Sequence, residues 1–257
     1  MEVFTIVLST VLGLISPIGL VTEQIATHTI RKQLKSVEQL HIRLDNTPSH
    51  QLIQGKIDRV RLAGHGLEPI TGLRIDTLEI ETDAVNLNRQ RLQKGNVHWQ
   101  EPLQAGVRLV LKGEDIQNAL QSPSVIRQLQ KLLKQMGGDQ LQGYNLQAAE
   151  MELLDNQRLR FQAKLQGQTA TDHLAIQLET GIKLLAGHQF ELLEPVIILN
   201  QTPLPAPLAH ALSRRIADRL DLRTLEESGL LVRILQWQMN RDRIELAAFV
   251  QVQRTSP

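Results

Sequence analysis

The sequence predicts an α+β fold of strongly curved antiparallel sheets and amphipathic helices, preceded by an N-terminal hydrophobic segment. Three observations carry this. Strand patterns come in groups rather than alternating singly with helices, the arrangement of antiparallel sheets. Two successive strand patterns shift their apolar phase by one residue, which bends and twists a sheet. No glycine-rich loop joins a strand to a helix, so a doubly wound nucleotide-binding sheet is not expected.

The chain opens with VFTIVLSTVLGLISPIGLV, the nineteen uncharged residues 3–21. At about 1.5 Å rise per residue that length just reaches across a hydrocarbon core. Thr5, Ser9, Thr10 and Ser16 dilute it, and Pro17 would kink a helix through it. A single-pass anchor, a segment lying in the interface and a cleaved signal peptide all fit; the only early charge, Glu2, is the wrong sign for a signal peptide. The expectation is a single-pass or interfacial anchor. The nearest positive charges, Arg31, Lys32 and Lys35, all follow the segment, which leaves the side of the membrane undecided. The expected division is an anchor and lead-out helix over residues 1–37 and a single domain over 38–257.

Ala26, Ile30, Leu34 and Val37 recur at helical spacing and predict a helix over residues 18–37. Leu40, Ile42 and Leu44 alternate with His41 and Arg43, a strand ended by Asp45-Asn46-Thr47-Pro48. In QLIQGKIDRVRLAG the apolar phase passes from Ile53, Gly55 and Ile57 to Val60 and Leu62, predicting a bulge near Asp58. In LRIDTLEI it passes from Leu73 and Ile75 to Leu78 and Ile80. Val107, Leu109 and Leu111 form a further strand, and Glu114-Asp115 suit the positive end of a short helix broken at Ser122-Pro123. A second helix starts there with Val125, Ile126, Leu129, Leu132, Leu133 and Met136 on one face, and Gly137-Gly138 stops it. Strands follow at 144–154, 159–165 and 174–178. A helix after Pro203, Pro205 and Pro207 carries a stripe of Leu208, Leu212, Ile216 and Leu220, and a hairpin of 231–239 and 244–252 closes the chain.

Composition excludes whole classes of chemistry. Lysine and arginine number 28 against 27 aspartates and glutamates, a formal charge of +1, and only seven residues are aromatic. Neither the cationic excess nor the stacking surfaces of a nucleic-acid module are present. Without cysteine there is no thiolate nucleophile, disulfide or Cys-ligated metal. The eight histidines form no helical zinc pair, and the common hydrolase, phosphoryl-transfer and dinucleotide motifs are absent. The expectation is a chain that is not an enzyme and uses no cofactor or metal; an enzyme would need scattered residues such as Glu114, Asp115 or His65 gathered in a cleft.

Several groups remain as candidates. Glu79, Glu81 and Asp83 read as the solvated side of a strand, and Gly64-His65-Gly66 as a turn with a surface imidazole. Arg59, Arg61, Arg74, Arg89, Arg91 and Lys94 cluster in the first half, where strands could bring several to one rim as a forked donor site for phosphate. Arg214, Arg215, Arg219 and Arg223 run along the last helix opposite its leucine stripe. Wide apolar stripes against curved sheets either fill a dry core or line an elongated groove.

QLIQGKIDRVRLAGHGL, GLRIDTLEIETDAVNL and AGVRLVLKGEDIQNALQSP, with the strand start Leu52 to Gly55, the Gly64 to Gly66 pair and the helix start Glu114, Asp115, Ile116, Asn118 and Leu120, resemble the LmeA-like phospholipid-binding family. The resemblance covers most of residues 1–165. It implies a membrane-associated envelope protein that binds phospholipid, with a curved antiparallel sheet wrapped about a long helix as in tubular lipid-binding proteins. On that reading Ile57, Val60, Leu62, Val107, Leu109, Leu111, Leu129 and Leu133 line an acyl groove, and Arg59, Arg61 or Arg74 meets the headgroup. The partners are then phospholipid and, through residues 3–21, a membrane. The competing expectation is a membrane-tethered scaffold with a dry core.

Overall fold

The computed structural model describes residues 23–46, 56–86, 102–137, 143–169 and 172–253. The hydrophobic segment 3–21, the strand start at 52–55, and Arg89, Arg91 and Lys94 lie outside them. Among the described residues no helix is long and apolar enough to cross a membrane.

Helix α1 (Glu23–Gln33) carries Glu23 in its first turn and Arg31 and Lys32 in its last, signs that suit the helix dipole. Ala26 and Ile30 are its buried positions, and it packs on β1 (Ser36–Asp45). The helix expected to reach residue 37 therefore ends at Gln33. Val37 belongs to the strand, opposite Leu67, because the alternation of SVEQLHIRLD starts before Leu40.

β1 is the edge of a six-stranded antiparallel sheet with β3 (Arg59–Ile70), β4 (Leu73–Thr82), β6 (Leu103–Lys112), β12 (Leu230–Met239) and β13 (Arg243–Val252), in the order β1-β3-β4-β6-β13-β12. Its register lines up Ile42, Leu62, Ile80, Val107, Ala248 and Ile234 across all six strands, and every one is buried. Cross-strand partners share a face, so this row defines the inner face of the sheet. The outer face carries charge, with Glu79, Arg108 and Glu245 joined by ion pairs.

The phase slip at Asp58 is not a bulge within one strand. Asp58 is a bend between β2 (Lys56–Ile57), which pairs with β5 (Val85–Asn86), and β3. The slip in β4 is real: Leu73 and Ile75, then Leu78 and Ile80, are all buried although they cannot share a face of a regular strand. Pairing with β3 continues through it, His65 opposite Thr77 and Leu67 opposite Ile75. Between those pairs stands Gly66 at φ +58, so Gly64 to Gly66 is not a turn but the point where β3 changes phase together with β4.

After β6 the chain enters α2 (Gly113–Gln121) and α3 (Pro123–Gly137), then builds a five-stranded antiparallel sheet, β7 (Asn145–Leu153), β8 (Arg158–Gln166), β9 (His173–Leu185), β10 (Gln189–Leu199) and β11 (Thr202–Pro203), in the order β11-β10-β9-β8-β7. Helix α4 (Ala206–Arg219) and a 3-10 turn, Leu222–Ser228, lead back to β12 and β13. The inner face of the six-stranded sheet joins β7 and β8 in one apolar core, with Leu146, Ala149, Ala163 and Leu165 buried in it. The fold is thus mostly antiparallel sheet in two open sheets, with described helices of 9 to 15 residues.

Candidate functional site

Among the described residues the helices meet the five-stranded sheet chiefly toward its edges. Its main helical contacts are α2 and α3 on β7 at one edge and α4 on β10 toward the other. The register makes Met151, Phe161, Leu178 and Ile197 one cross-strand row, and Ala149, Ala163, Ile176 and Leu199 the next. Ile197 is 2 % exposed and its chain neighbour Val196 is 50 % exposed, so α4 covers the face that carries Ile197. Because Ala149 and Ala163 of the same face belong to the core, α3 and α4 flank one face at its two edges. Between them Phe161, Leu174, Ile176 and Leu178 on β8 and β9 are only half-buried. The result is a strip of apolar side chains across two central strands, bordered by the half-buried Ile126 and Leu129 of α3.

The eight residues expected to line a groove divide by accessibility. Ile57, Leu62, Val107, Leu109 and Leu133 are buried in the core, and Val60, Leu111 and Leu129 are half-buried against it. All eight therefore line the common apolar interior, Leu129 and Leu133 from α3 and the others from the β2, β3 and β6 strands.

The three candidate headgroup arginines fall into two clusters, and each has carboxylate partners. Arg59 Nη1 lies 3.0 Å from Glu81 Oε1, and Arg61 Nη2 lies 3.3 Å from Asp45 Oδ2. Both project from the face of β3 opposite Val60 and Leu62, because strand side chains alternate. Arg74 belongs to a separate group: it donates to Glu38 Oε1 at 2.8 Å and to Asp115 Oδ2 at 2.8 Å. Asp76, 3.5 Å from Arg74, lies 2.8 Å from Lys112 Nζ.

Burial sets the ionisation of this second group. Asp115, at the start of α2, is buried, and desolvation raises its carboxyl above the usual range even though Arg74 pulls it down. Burial also pushes Asp76 upward, but hydrogen bonds from Lys112 and Thr77 outweigh it and hold the carboxyl low. Arg74 is raised, chiefly by its hydrogen bond to Glu38. His65 is exposed on β3, with Nδ1 3.2 Å from Thr77 Oγ1, apart from Glu114 and Asp115 in its hydrogen bonding. Glu79 and Glu81 lie on the solvated face of β4 and Asp83 just beyond it, the first two as partners of arginines.

Beside the α2 start lies an open depression of about 680 Å³ lined by Lys112, Glu114, Gln117, Glu152, Asp242 and Arg243, among others. Its mixed charges suit water rather than an acyl chain.

Sequence reasoning placed the strip residues of β8 and β9 on strands but missed β10 and the C-terminal half of β9, residues 179–185. The run VIIL was the available signal, but Pro195 and the bulge between Leu193 and Val196 interrupt its alternation. The stripe on α4 also differs from the expected one. Ala209, Ser213 and Ala217 are the buried positions, Leu212, Ile216 and Leu220 are half-buried, and Leu208 is 58 % exposed.

The family model described as LmeA-like phospholipid-binding matches residues 13–249. No curated protein and no solved structure matches the chain. The match takes in every described element but the last three residues of the closing strand, and the chain belongs to the LmeA-like phospholipid-binding family.

Proposed function

We propose that this protein binds phospholipid without chemically transforming it, holding acyl chains along the apolar strip of β8 and β9 between α3 and α4. The observation that carries the reading is the strip itself. Phe161, Leu174, Ile176 and Leu178 stay half-buried, the first three packed against the apolar core, in a chain of a phospholipid-binding family. An acyl chain would cover what the protein leaves open of that row. Each methylene buried contributes about 0.8 kcal/mol, so about ten outweigh any single ion pair. Apolar contact therefore sets affinity.

Beneath the strip, Ile57, Val60, Leu62, Val107, Leu109 and Leu111 form the opposite apolar wall and Leu129 and Leu133 one border. These reach an acyl chain to the extent that the two sheets separate. The headgroup remains at the water-facing margin. Arg59, Arg61 or Arg74 would take a phosphate by exchanging one carboxylate for it, Arg59 and Arg61 only for a headgroup that reaches round the sheet to the outer face of β3, and this nearly neutral exchange tunes headgroup choice more than affinity. A membrane-associated transfer role extends the same reading, with residues 3–21 as the tether.

The test is lipid extraction from the purified full chain, native and with Leu178→Asp. Phospholipid at fixed stoichiometry in the native chain and its loss in a folded variant support the reading. An empty native chain that takes up no added phospholipid overturns it in favour of a tethered scaffold.

A further inference from the structure

We propose that one side of α4 is a docking surface for an anionic lipid bilayer. The proposal goes beyond acyl binding, since a chain that holds lipid still needs a surface that meets the bilayer. With Ala209, Ser213 and Ala217 turned to the sheet, helical spacing puts Leu208, Leu212, Arg215 and Arg219 on one adjoining side, at i, i+4, i+7 and i+11. Leu208, Arg215 and Arg219 are exposed and Leu212 is half-buried. Leucine and arginine thus share a face here, not opposite faces as the bare leucine stripe implied.

Most described arginines on the sheets sit in ion pairs, as Arg43 does with Asp45, Arg108 with Glu79 and Glu245, and Arg160 with Glu152 and Glu179, whereas among the described residues Arg31, Arg127 and Arg214 on the helices do not. Among the described residues Arg215 and Arg219 have no carboxylate within ion-pair distance, although Asp218 precedes Arg219 and lies three residues after Arg215. An exposed leucine beside two uncompensated guanidinium groups matches the chemistry of an anionic bilayer surface, with phosphates for the arginines and the acyl boundary for the leucine. An acidic protein would satisfy the arginines but leave Leu208 without a reason to be exposed. Arg214 lies on the other side of the helix and adds only long-range attraction.

The experiment is vesicle co-sedimentation of the full chain with phosphatidylcholine alone and with phosphatidylcholine containing phosphatidylglycerol. The readout is the ratio of the two partition coefficients, which cancels apolar binding common to both. The expected ratio exceeds one, falls with added salt, and drops on the order of tenfold in Arg215→Gln/Arg219→Gln. Leu208→Asp weakens binding to the anionic vesicles, and Arg43→Gln, a charge change on β1, leaves the ratio as it was. The arginine variant retains co-purified phospholipid, which separates a failure of docking from a failure of lipid binding. A ratio of one in the native chain, or an unchanged ratio in the arginine variant, overturns the proposal.

Discussion

Arg74 Nη1 donates to Asp115 Oδ2 at 2.8 Å, fastening β4 to the first turn of α2 across 41 residues of chain. The same guanidinium holds Glu38 of β1, so one side chain ties together an edge strand, a central strand and the helix that leads to the second sheet.

Removing that guanidinium leaves Asp115 buried without its cation. Arg74→Gln is expected to destabilise the fold by about 2 kcal/mol at neutral pH, read from the urea midpoint. The sign with pH follows from burial, which already raises Asp115. Without Arg74 its folded-state value rises further above the unfolded one, favouring the protonated form in the fold. The deficit of the variant is then largest at neutral pH and shrinks as the pH falls toward the ordinary aspartate value of 3.8. A deficit that grows on acidification contradicts this account.

Asp221 has the opposite behaviour. It accepts from the Arg223 side chain at 2.6 Å and from the Arg223 backbone N–H at 3.0 Å, capping the 3-10 turn, and His188 Nδ1 lies 3.2 Å away. The Arg223 hydrogen bond is the main cause that lowers its pKa from 3.8 to about 2. A depressed carboxylate contributes stability above its unfolded value and loses it as pH falls through the folded one. Native protein should therefore lose up to about 2 kcal/mol between about pH 4 and pH 2 from this group. Asp221→Asn should be less stable at neutral pH and show a shallower loss in that window, measured by denaturant midpoints across pH.

Gly66 is held by both conformation and space. Its φ of +58 suits glycine, and a Cβ there would run into the Glu38 side chain. Glu38 cannot move aside freely because it binds Arg74. Gly66→Ala is expected to cost about 1–3 kcal/mol, and less in an Arg74→Gln background where Glu38 is released. Additive losses in the double variant would show that the two are uncoupled.

Leu109 and Leu178 distinguish folding from lipid binding. Leu109 is 6 % exposed within the six-stranded inner face, so Leu109→Asp should unfold the protein outright, at more than about 4 kcal/mol. Leu178 is half-buried on the strip, so Leu178→Asp should keep a cooperative thermal transition while losing bound phospholipid. Lipid loss without unfolding in the first, or retention in the second, would move the site away from the strip.

What the sequence made legible followed from alternation. The closing hairpin, observed at Leu230–Met239 and Arg243–Val252, and the β4 phase slip were read from apolar spacing alone. Where side-chain size rather than polarity decides, that reading failed. Ala209, Ser213 and Ala217 face the sheet because small side chains let α4 approach β10 closely, yet a hydrophobic pattern weights Leu208 and Leu212 more heavily. Gly66 looked like a turn because a close pair of glycines is a turn signal, and only the pairing of β1 and β4 on either side shows it inside a strand. The arginines Arg59, Arg61 and Arg74 were visible as a cluster, but their division into two ion-paired groups depends on register, which composition does not carry.

Native mass spectrometry of the full chain, released from detergent and followed by lipid extraction, tests the central claim most directly. The account predicts phospholipid bound at a fixed stoichiometry that Leu178→Asp abolishes in a folded protein. A native chain that is folded, lipid-free and unable to take up added phospholipid would contradict it.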